Sequence, residues 1–387
     1  MGPDLRALPA AVPVADVLPH AWVVGGAVRD VLLDRRAAVD LDLVIEGDAV
    51  AAAERLCAAL GGRLVSHEAF GTASVEAGGH VYDLATARAE TYARPGALPD
   101  VRPGTLEEDL LRRDFTVNAI AVSFDGRVCS APHAFEDLDA RVLRVLHERS
   151  FVDDPTRLLR LVRYATRLGF AVEPRTAELA DEAIASGALT TVTPARIGSE
   201  LRLLLREPSA VEALVWIAGW PLGVPLSFDR ALAARALALL PADGRADLLL
   251  LGSACRSVEP AALADWLDAL GFVGRDRDTV VAVAQAEGIE RGLAGAGRPS
   301  EIAAVARGVP IEAVALAGAL GAEAAARAWI EDLRHVTLAI DGADLLAAGI
   351  PQSEAVGRAL AAALAARLDG AAPDREAQLA VALTAAN

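Results

Sequence analysis

The chain has no lysine and few residues of several other kinds, and each shortage narrows what the protein can be. All 37 basic residues are arginine, and 53 acidic residues give a formal charge of −16. The three cysteines, Cys57, Cys129 and Cys255, lie far apart, which excludes a disulfide scaffold and offers no zinc-binding spacing. The six histidines form no HxxxH pair, so a metal hydrolase site built on histidine has little support.

Long apolar runs are also missing. No stretch reaches the roughly 18 uncharged apolar residues that a membrane-spanning helix needs. The first twenty residues carry acids and prolines where a signal peptide is basic and then apolar. We therefore expect a cytoplasmic protein with no membrane partner. The 387 residues suffice for two or three domains that each bury a core.

The spacing of apolar residues changes along the chain. Short strand-like runs alternate with helical segments in the first third, and helical periodicity dominates after about residue 157. Residues 86–105 contain three prolines and are predicted to form a loop, while residues 117–124 are predicted to form a strand. We predict an α+β fold in which a head with a mixed β-sheet flanked by helices (residues 1–138) precedes an all-α neck (139–210), and an all-α body and tail (211–387).

Two aspartates on one predicted strand are the sharpest chemical feature. Asp40 and Asp42 lie in the alternating segment 39–45, so both carboxylates leave the same face of the strand. Neighbouring carboxylates repel each other unless a cation lies between them, and hard oxygen ligands suit Mg²⁺. The pair is therefore a candidate site for two magnesium ions, the alternative being an edge strand with two solvated acids.

A glycine pair precedes that strand. Gly25 and Gly26 lack side chains where a triphosphate could approach, and the helix that follows points backbone N–H groups at the anion. Arg29, one turn into this helix, is a candidate phosphate contact. An ordinary turn is the alternative reading of the glycines alone.

Several motifs occur together with these residues. They are 24–30 (VGGAVRD), Asp40 with Asp42, 111–120 (LRRDFTVNAI), 136–146 (EDLDARVLRVL), 153–160 (DDPTRLLR), 193–201 (TPARIGSEL) and 338–346 (LAIDGADLL). This series resembles class II tRNA nucleotidyltransferases, which are CCA-adding enzymes, and the related bacterial poly(A) polymerases of the polymerase-β-like superfamily. The resemblance covers residues 21–206 and about 336–370, and residues 211–335 contain only generic helices.

The resemblance implies roles for particular residues. The polymerase-β-like head would hold Mg²⁺ on Asp40 and Asp42, with Glu68 or Asp83 as candidate third carboxylates. The triplet Arg112, Arg113 and Asp114 would contact the sugar and phosphates of CTP or ATP. Two further residues of these motifs, Asn118 and Arg160, are assigned to the same nucleotide site. From geometry alone, adjacent arginines before a strand would diverge, so that only one would face the triphosphate.

Asp154 and Arg157 are three residues apart and share the first turn of a predicted helix. They present an acceptor beside a donor fork, which can pair with the edge of cytosine and, after rearrangement, of adenine. The resemblance implies that they read CTP and ATP; an ordinary ion pair within the helix is the alternative. Asp153 stands where the family usually has glutamate. Its shorter side chain puts the change from CTP selection to ATP selection in question.

A basic strip is predicted on helix 156–168. Residues 139–210 hold 11 arginines and 10 acids, whereas the flanking segments are strongly acidic. At 100° per residue the helix places Arg157, Arg160, Arg163 and Arg167 on one side, and Arg196 and Arg202 continue the series. We expect Arg163, Arg167, Arg196 and Arg202 to bind the tRNA acceptor end. A solvated face with local ion pairs is the alternative.

The function predicted from these features is transfer of CMP and AMP from CTP and ATP to the 3′ end of tRNA. Within the same fold the alternatives are an A-adding or CC-adding specialist or a poly(A) polymerase. A non-catalytic tRNA-binding paralogue and a small-molecule nucleotidyltransferase are alternatives of other classes. Loop 86–105 is predicted to close on the nucleotide through Arg88 and Glu90.

Overall fold

The computed structural model describes Leu5 and residues 8–34, 40–67 and 71–386. Val39 and the candidate metal ligand Glu68 lie outside the described residues. The chain divides into two compact units, Met1–Thr193 and Pro194–Asn387. The division falls at neither of the predicted boundaries, 138 and 210, and those boundaries stay predictions.

A seven-stranded mixed sheet forms the centre of the first unit, in the order β3-β4-β5-β2-β1-β8-β9. Strand β2 is parallel to β5 and antiparallel to β1. The strands of the chain are β1 Trp22–Val24, β2 Asp40–Ile45, β3 Arg63–His67, β4 Thr72–Ala77, β5 His80–Thr86, β6 Arg88–Thr91, β7 Asp100–Pro103, β8 Ile120–Ser123, β9 Val128–Ser130, β10 Val142–Leu143 and β11 Ala171–Val172.

Helices flank this sheet. Those of the first unit are α1 Ala11–Val17, α2 Gly26–Leu32, α3 Ala49–Leu60, α4 Leu106–Leu111, α5 Ala134–Ala140, α6 Ser150–Asp153, α7 Thr156–Leu168 and α8 Pro174–Ala185. Their ends follow local sequence signals: Asp48 caps α3 by accepting from the Ala51 amide, and Thr105 with Glu108 forms a capping box on α4. Leu106 and Leu110 of α4 pack with Trp22 in a buried apolar cluster, which fixes α4 against the sheet.

The structure corrects two predictions of secondary structure. Residues 86–105 are not a plain loop, because β6 and β7 pair as an antiparallel hairpin in which Glu90 faces Val101. The segment 117–124 begins with a 3₁₀ turn, Thr116–Asn118, before strand β8 starts at Ile120. In addition, β10 and β11 form a short parallel pair within the region predicted to be all helical.

Among its described residues, the second unit consists of helices joined by loops and turns. Its helices are α9 Pro194–Leu205, α10 Ala210–Ile217, α11 Arg230–Leu239, α12 Ala246–Ala254, α13 Pro260–Ala269, α14 Arg275–Ala284, α15 Ala286–Gly295, α16 Pro299–Ala306, α17 Ile311–Ala317, α18 Glu323–Glu331, α19 Gly342–Ala347, α20 Glu354–Leu368 and α21 Arg375–Ala386. Helices α12 and α14 pack closely at Gly252, where a β-carbon would lie 2.5 Å from that of Val283. The α+β fold predicted from the sequence is confirmed.

One helical stretch of the second unit, Ile311–His335, is long and apolar enough to cross a membrane by length and composition alone. Its apolar window is 61% buried inside the protein, and core helices of soluble proteins meet the same criterion. The expectations of a cytoplasmic location and of no membrane partner stay predictions.

Candidate active site

Strand β2 presents two carboxylates beside a third on its neighbour. Asp40 and Asp42 are exposed, and Leu41 between them is buried, as alternation along a strand requires. In the parallel pairing of β2 with β5, Asp42 lies directly opposite Asp83, so the two side chains share a face. Ser74 of β4 donates a hydrogen bond to the Asp83 carboxylate. The sheet thus gathers three acids, two of which sequence periodicity had placed together.

The charge on Asp42 is influenced by these neighbours. Desolvation is the largest cause and raises the pKa of Asp42 above its ordinary value. The Arg113 guanidinium acts in the opposite direction, and the carboxylates of Asp83 and Asp40 raise the pKa further. A cation at this face would relieve that repulsion.

The glycine corner lies against the same carboxylate. Gly25 follows β1 with φ 69° and ψ −134°, a backbone conformation that residues other than glycine rarely adopt. A β-carbon at Gly25 would lie 3.6 Å from an Asp42 carboxylate oxygen and 3.4 Å from Nη1 of Arg113. Because Gly25 has no side chain, the space between the Asp42 carboxylate and the Arg113 guanidinium stays open.

A cavity of about 380 Å³ opens at this point. Ten of the residues predicted for the site line it: Gly25, Gly26, Asp42, Arg112, Arg113, Asp114, Asn118, Asp154, Arg157 and Arg160. The cavity wall also includes Arg88 and Glu90, the two contacts predicted on segment 86–105, together with Tyr92, Pro99 and Tyr164. Asp40 and Arg29 are not part of the lining. A second cavity of about 350 Å³, lined by Asp83 among others, shares Asp42, Arg112 and Arg113 with the first.

Arg112 and Arg113 both reach the cavity, which differs from the divergence expected for adjacent residues. Asp109 of α4 accepts from Nε and Nη2 of Arg112 at 3.0 and 2.7 Å, and from Nη2 of Arg113 at 2.9 Å. Arg112 also donates from Nη1 to Glu90 at 3.0 Å. Burial acts to raise the pKa of Asp109, but the two guanidiniums outweigh it and hold that pKa below its ordinary value.

Asp114 stands at the centre of a buried network. Its Oδ1 accepts from the Phe115 amide and from Asn118 at 2.8 and 2.9 Å, and its Oδ2 accepts twice from Arg160 at 2.9 and 2.6 Å. Burial alone would raise the pKa of Asp114, yet Arg160 and Asn118 bring it down to about 2. Four accepted bonds occupy the carboxylate, so the geometry favours orientation of Arg160 over a sugar contact.

Arg29 also differs from its predicted position. Its side chain is 1% exposed, and Nη1 donates to Oδ1 of Asn118 at 2.6 Å. The guanidinium therefore lies behind the cavity wall instead of in it, because α2 packs this face of the helix against the 3₁₀ turn that carries Asn118. A direct phosphate contact from Arg29 is not available in this arrangement.

Asp154 and Arg157 sit at the junction of α6 and α7. One oxygen of Asp154 accepts from the Thr156 amide and hydroxyl at 3.1 and 2.6 Å. Arg157 is buried and donates to Ser150 Oγ at 2.6 Å and to the backbone carbonyl of Arg112 at 2.5 Å. Hydrogen bonds therefore hold both residues of the predicted base-reading pair, and Arg157 is bonded to the backbone of Arg112, another residue of the cavity wall.

Tyr92 and Glu90 close this side of the cavity. Tyr92 donates its hydroxyl proton to Glu90 at 3.0 Å, and burial together with the Glu90 charge raises the pKa of Tyr92 to about 12. Asp153, the residue that departs from the family pattern, does not line the cavity and instead accepts from Arg149 at 2.7 Å. The predicted influence of Asp153 on nucleotide choice stays a prediction.

The arginines of α7 do not form a solvated strip. Arg157 and Arg163 are buried, and Arg167 alone of the four predicted residues is exposed. Arg163 lies over the ring of Tyr164 with its guanidinium carbon 4.9 Å from the ring centroid, and Arg160 and Arg167 lie at 5.8 Å. Periodicity correctly grouped these arginines on one side of the helix, but two of them, Arg157 and Arg160, line the cavity instead of facing solvent.

The remaining two predicted tRNA contacts belong to the second unit. Arg202 of α9 lies over the ring of Phe272 at 4.0 Å and donates to the Leu270 carbonyl at 3.4 Å. Arg196, also on α9, is half-buried. Arg202 is thus engaged in packing α9 against the α13–α14 connection, while the tRNA assignments of both arginines stay predictions.

Sequence reasoning missed Pro99 of the cavity wall and four residues whose side chains make contacts at this site: Asp109, Ser150, Tyr92 and Tyr164. Asp109 had a signal, since it lies three and four residues before the arginine pair, the spacing of helical neighbours. Tyr164 meets a distant segment through its edge contact with Phe115, whereas Ser150 and Tyr92 bond to the nearby Arg157 and Glu90 in a way that no motif indicated. In the part of the chain that the structure describes, no group of three or more His, Cys, Asp or Glu residues is arranged as a metal site.

The head matches a known family. Residues 21–144 match the family described as "Poly A polymerase head domain". The chain is 44% identical over 201 residues to the A-adding tRNA nucleotidyltransferase of Halalkalibacterium halodurans, covering 50% of this chain and 47% of that protein. It is 40% identical over 209 residues to the CC-adding tRNA nucleotidyltransferase of Deinococcus radiodurans, covering 53% and 54%. The matches thus span about half the length of these relatives.

Solved structures extend the likeness to almost the whole chain. A CCA-adding enzyme in its apo form II superimposes with a TM-score of 0.80 at 25% identity, covering 97% of this chain and 98% of that one. The Thermotoga maritima CCA-adding enzyme complexed with tRNA gives 0.75 at 27% identity, covering 95% and 91%. The head is thus similar to the poly(A) polymerase head family, and nearly the whole chain shares the fold of solved CCA-adding enzymes. These similarities agree with the resemblance to class II CCA-adding enzymes and bacterial poly(A) polymerases that the sequence motifs indicated.

Proposed function

We propose that the protein transfers CMP and AMP from CTP and ATP to the 3′ end of tRNA without a template. The terminal ribose hydroxyl attacks the α-phosphate, and pyrophosphate leaves in line with it. The observation that carries the proposal is the position of Asp42, which borders both cavities beside Gly25 and Arg113. One cavity then receives the nucleotide and the other the acceptor end, with the carboxylate between them.

Magnesium is the cofactor that this face suits. Asp40 and Asp42 would hold it, and we propose Asp83 as the third carboxylate because it lies directly opposite Asp42. Hard oxygen donors and an unrelieved accumulation of negative charge fit Mg²⁺ better than softer metals. When bound, the metal would lower the pKa of the attacking hydroxyl and neutralise charge on the leaving pyrophosphate.

The chain's own residues bind and orient the substrates. Gly25 and Gly26 let the triphosphate approach the backbone, and Arg112 and Arg113 provide its positive surroundings. Asp114 orients Arg160, while Arg29 orients Asn118, so these two act on the nucleotide through their partners. No side chain serves as a nucleophile, and the site acts by positioning and electrostatics.

Nucleotide choice is assigned to Asp154 and Arg157. The acceptor of one and the donor fork of the other match the edge of cytosine, and a rearrangement matches adenine. Arg157 is anchored at two points, which limits the orientations of its remaining donors. For the tRNA acceptor end, Arg167 on α7 is the most accessible contact, with Arg196 in the second unit.

A second candidate is a specialist that adds only the terminal A. It is favoured by the 44% identity to the A-adding enzyme of H. halodurans. Incubation with tRNA lacking its last three, two or one nucleotides, each with CTP alone, ATP alone or both, separates the two. The specialist would extend only the tRNA that lacks one nucleotide, and only in the reactions that contain ATP.

The core of the proposal is tested by Asp42→Asn. Incorporation of labelled nucleotide should fall on the order of 1,000-fold, since several kcal/mol of transition-state stabilisation are removed. Binding of tRNA, measured by filter retention, should stay within about 3-fold because Asp42 contacts the reacting centre and not the acceptor stem. Asp125→Asn is the matched control, because Asp125 is an exposed aspartate that pairs with Arg127 away from the cavity. Undiminished turnover in Asp42→Asn would remove the basis of the proposal.

A further inference from the structure

Asp109 connects the two arginines of the triphosphate wall. Its side chain is fully buried at the end of α4, and it accepts three hydrogen bonds from Arg112 and Arg113. A buried carboxylate of this kind is costly unless its charge is compensated. Two guanidiniums provide that compensation, so the group has a defined reason to remain ionised.

The arrangement solves a geometric problem of adjacent residues. Arg112 caps α4 with helical backbone angles, φ −83° and ψ −9°, so the chain does not run extended through the pair. Asp109 lies one turn earlier and reaches both side chains, drawing them to the same side. Two like charges are thereby held next to each other at the cavity wall, with one negative charge behind them.

The two arginines depend on Asp109 to different degrees. Arg112 has a second anchor in Glu90, to which Nη1 donates at 3.0 Å. Within the described part of the chain, Asp109 is the only hydrogen-bond partner of the Arg113 side chain, whose Nε is buried without one. Arg113 is also the residue that approaches Gly25 and Asp42. Loss of Asp109 would therefore release the arginine nearest the reacting centre.

We propose that Asp109 is a positioning residue that aims Arg113, and with it Arg112, at the triphosphate of the bound nucleotide. This inference rests on the proposed function, because it takes the cavity to be the nucleotide site. Asp109 contacts no substrate itself. Its effect is on affinity for the triphosphate, because a phosphate contact present before and during the reaction changes KM more than kcat.

The test uses Asp109→Asn, which keeps the shape and removes the charge. An asparagine retains one acceptor oxygen, and its amide group donates where Arg113 also donates, so that contact is lost. Affinity for ATP with Mg²⁺, measured by calorimetry without tRNA, should fall about 10- to 100-fold, as expected for a misplaced binding group. At saturating ATP, kcat should stay within about 3-fold of the wild-type value.

A double-mutant cycle with Arg113→Ala distinguishes positioning from general destabilisation. If Asp109 acts through Arg113, Asp109→Asn should weaken ATP binding by less than about 3-fold further in the Arg113→Ala background. Independent, multiplicative losses would overturn the inference, as would an unchanged ATP affinity in Asp109→Asn. Asp247→Asn is the matched control, because Asp247 of the second unit accepts two bonds from Arg245 and lies outside the cavity lining.

Folding and function can be separated from this result. If Asp109→Asn fails to fold, Asp109→Glu replaces it as the test variant. Glutamate keeps the charge but has a longer side chain, so this variant should fold and bind ATP more weakly than the wild type. An unchanged affinity for ATP in Asp109→Glu would overturn the inference. If the wild-type protein binds ATP but extends no tRNA, the proposed function fails while the binding cycle still tests Asp109. If the wild type extends tRNA and the KM for ATP is unaltered in both Asp109 variants, the positioning role of Asp109 is refuted while the proposed function stands.

Discussion

Replacement of Gly25 by alanine tests how the glycine corner works, because it introduces one methyl group at a defined place. The backbone at φ 69° and ψ −134° is in a region that is essentially restricted to glycine, so a side chain costs about 1–3 kcal/mol. For a folding unit the size of Met1–Thr193, this corresponds to a melting temperature lower by about 2 to 12 °C. The new methyl group would also project between Asp42 and Arg113, at 3.6 and 3.4 Å.

Thermal unfolding with and without ATP and Mg²⁺ separates these two effects. ATP at about 100 times its Kd should stabilise the wild type by about 2.7 kcal/mol, and this stabilisation should be absent in Gly25→Ala. Gly61→Ala is the matched control: Gly61 has φ 67° and open space around its β-carbon position, so it carries backbone strain without entering the cavity. The reasoning would be refuted if Gly25→Ala had the same melting temperature as the wild type, or if ATP stabilised both proteins to the same extent.

Two further substitutions test the networks behind the cavity. The pKa of Asp114, lowered from an ordinary 3.8 to about 2, means that its ionised form stabilises the fold above about pH 4 and that this stability is lost as the pH falls toward 2. Asp114→Asn should therefore be less stable than the wild type at pH 7 by roughly 2 to 3 kcal/mol in urea denaturation, with a smaller deficit at pH 3. An equal deficit at both pH values would contradict this. Ser150→Ala removes an anchor of Arg157, so incorporation of GTP and UTP relative to CTP should rise about 10-fold; unchanged selectivity would argue against base reading by Arg157.

Short-range features of the site could be read from the sequence. Alternation along 39–45 put Asp40 and Asp42 on one face, and strand β2 has them there. That inference needed only the local period of a strand. The sequence also placed the glycine pair shortly before this strand, but the approach of Gly25 to Asp42 depends on the antiparallel pairing of β1 with β2, in which Val23 lies opposite Leu43.

Long-range pairings were beyond this reasoning. Asp83 lies opposite Asp42 because β2 and β5 are parallel partners, and no local pattern specifies which strands pair. The arginine face of α7 was identified correctly, but its environment was not, since periodicity gives a direction and not what lies in that direction. Arg157 and Arg163 are both buried, and Arg157 is bonded to Ser150 and to the backbone carbonyl of Arg112. The prolines of 86–105 suggested a loop, although Pro95 and Pro99 fall between the strands and Pro103 at the end of β7.

The hairpin formed by β6 and β7 limits how this site can change over evolution. Arg88 and Glu90 border the cavity, and Ala89 between them is buried on the opposite side. Because neighbours along a strand face opposite ways, inserting a single residue ahead of Arg88 in β6 would exchange the two sides and turn both polar groups away from the cavity. Inserting two residues would preserve the facing. Relatives that vary the length of this segment should therefore gain or lose residues in even numbers, or compensate with a bulge that restores the phase.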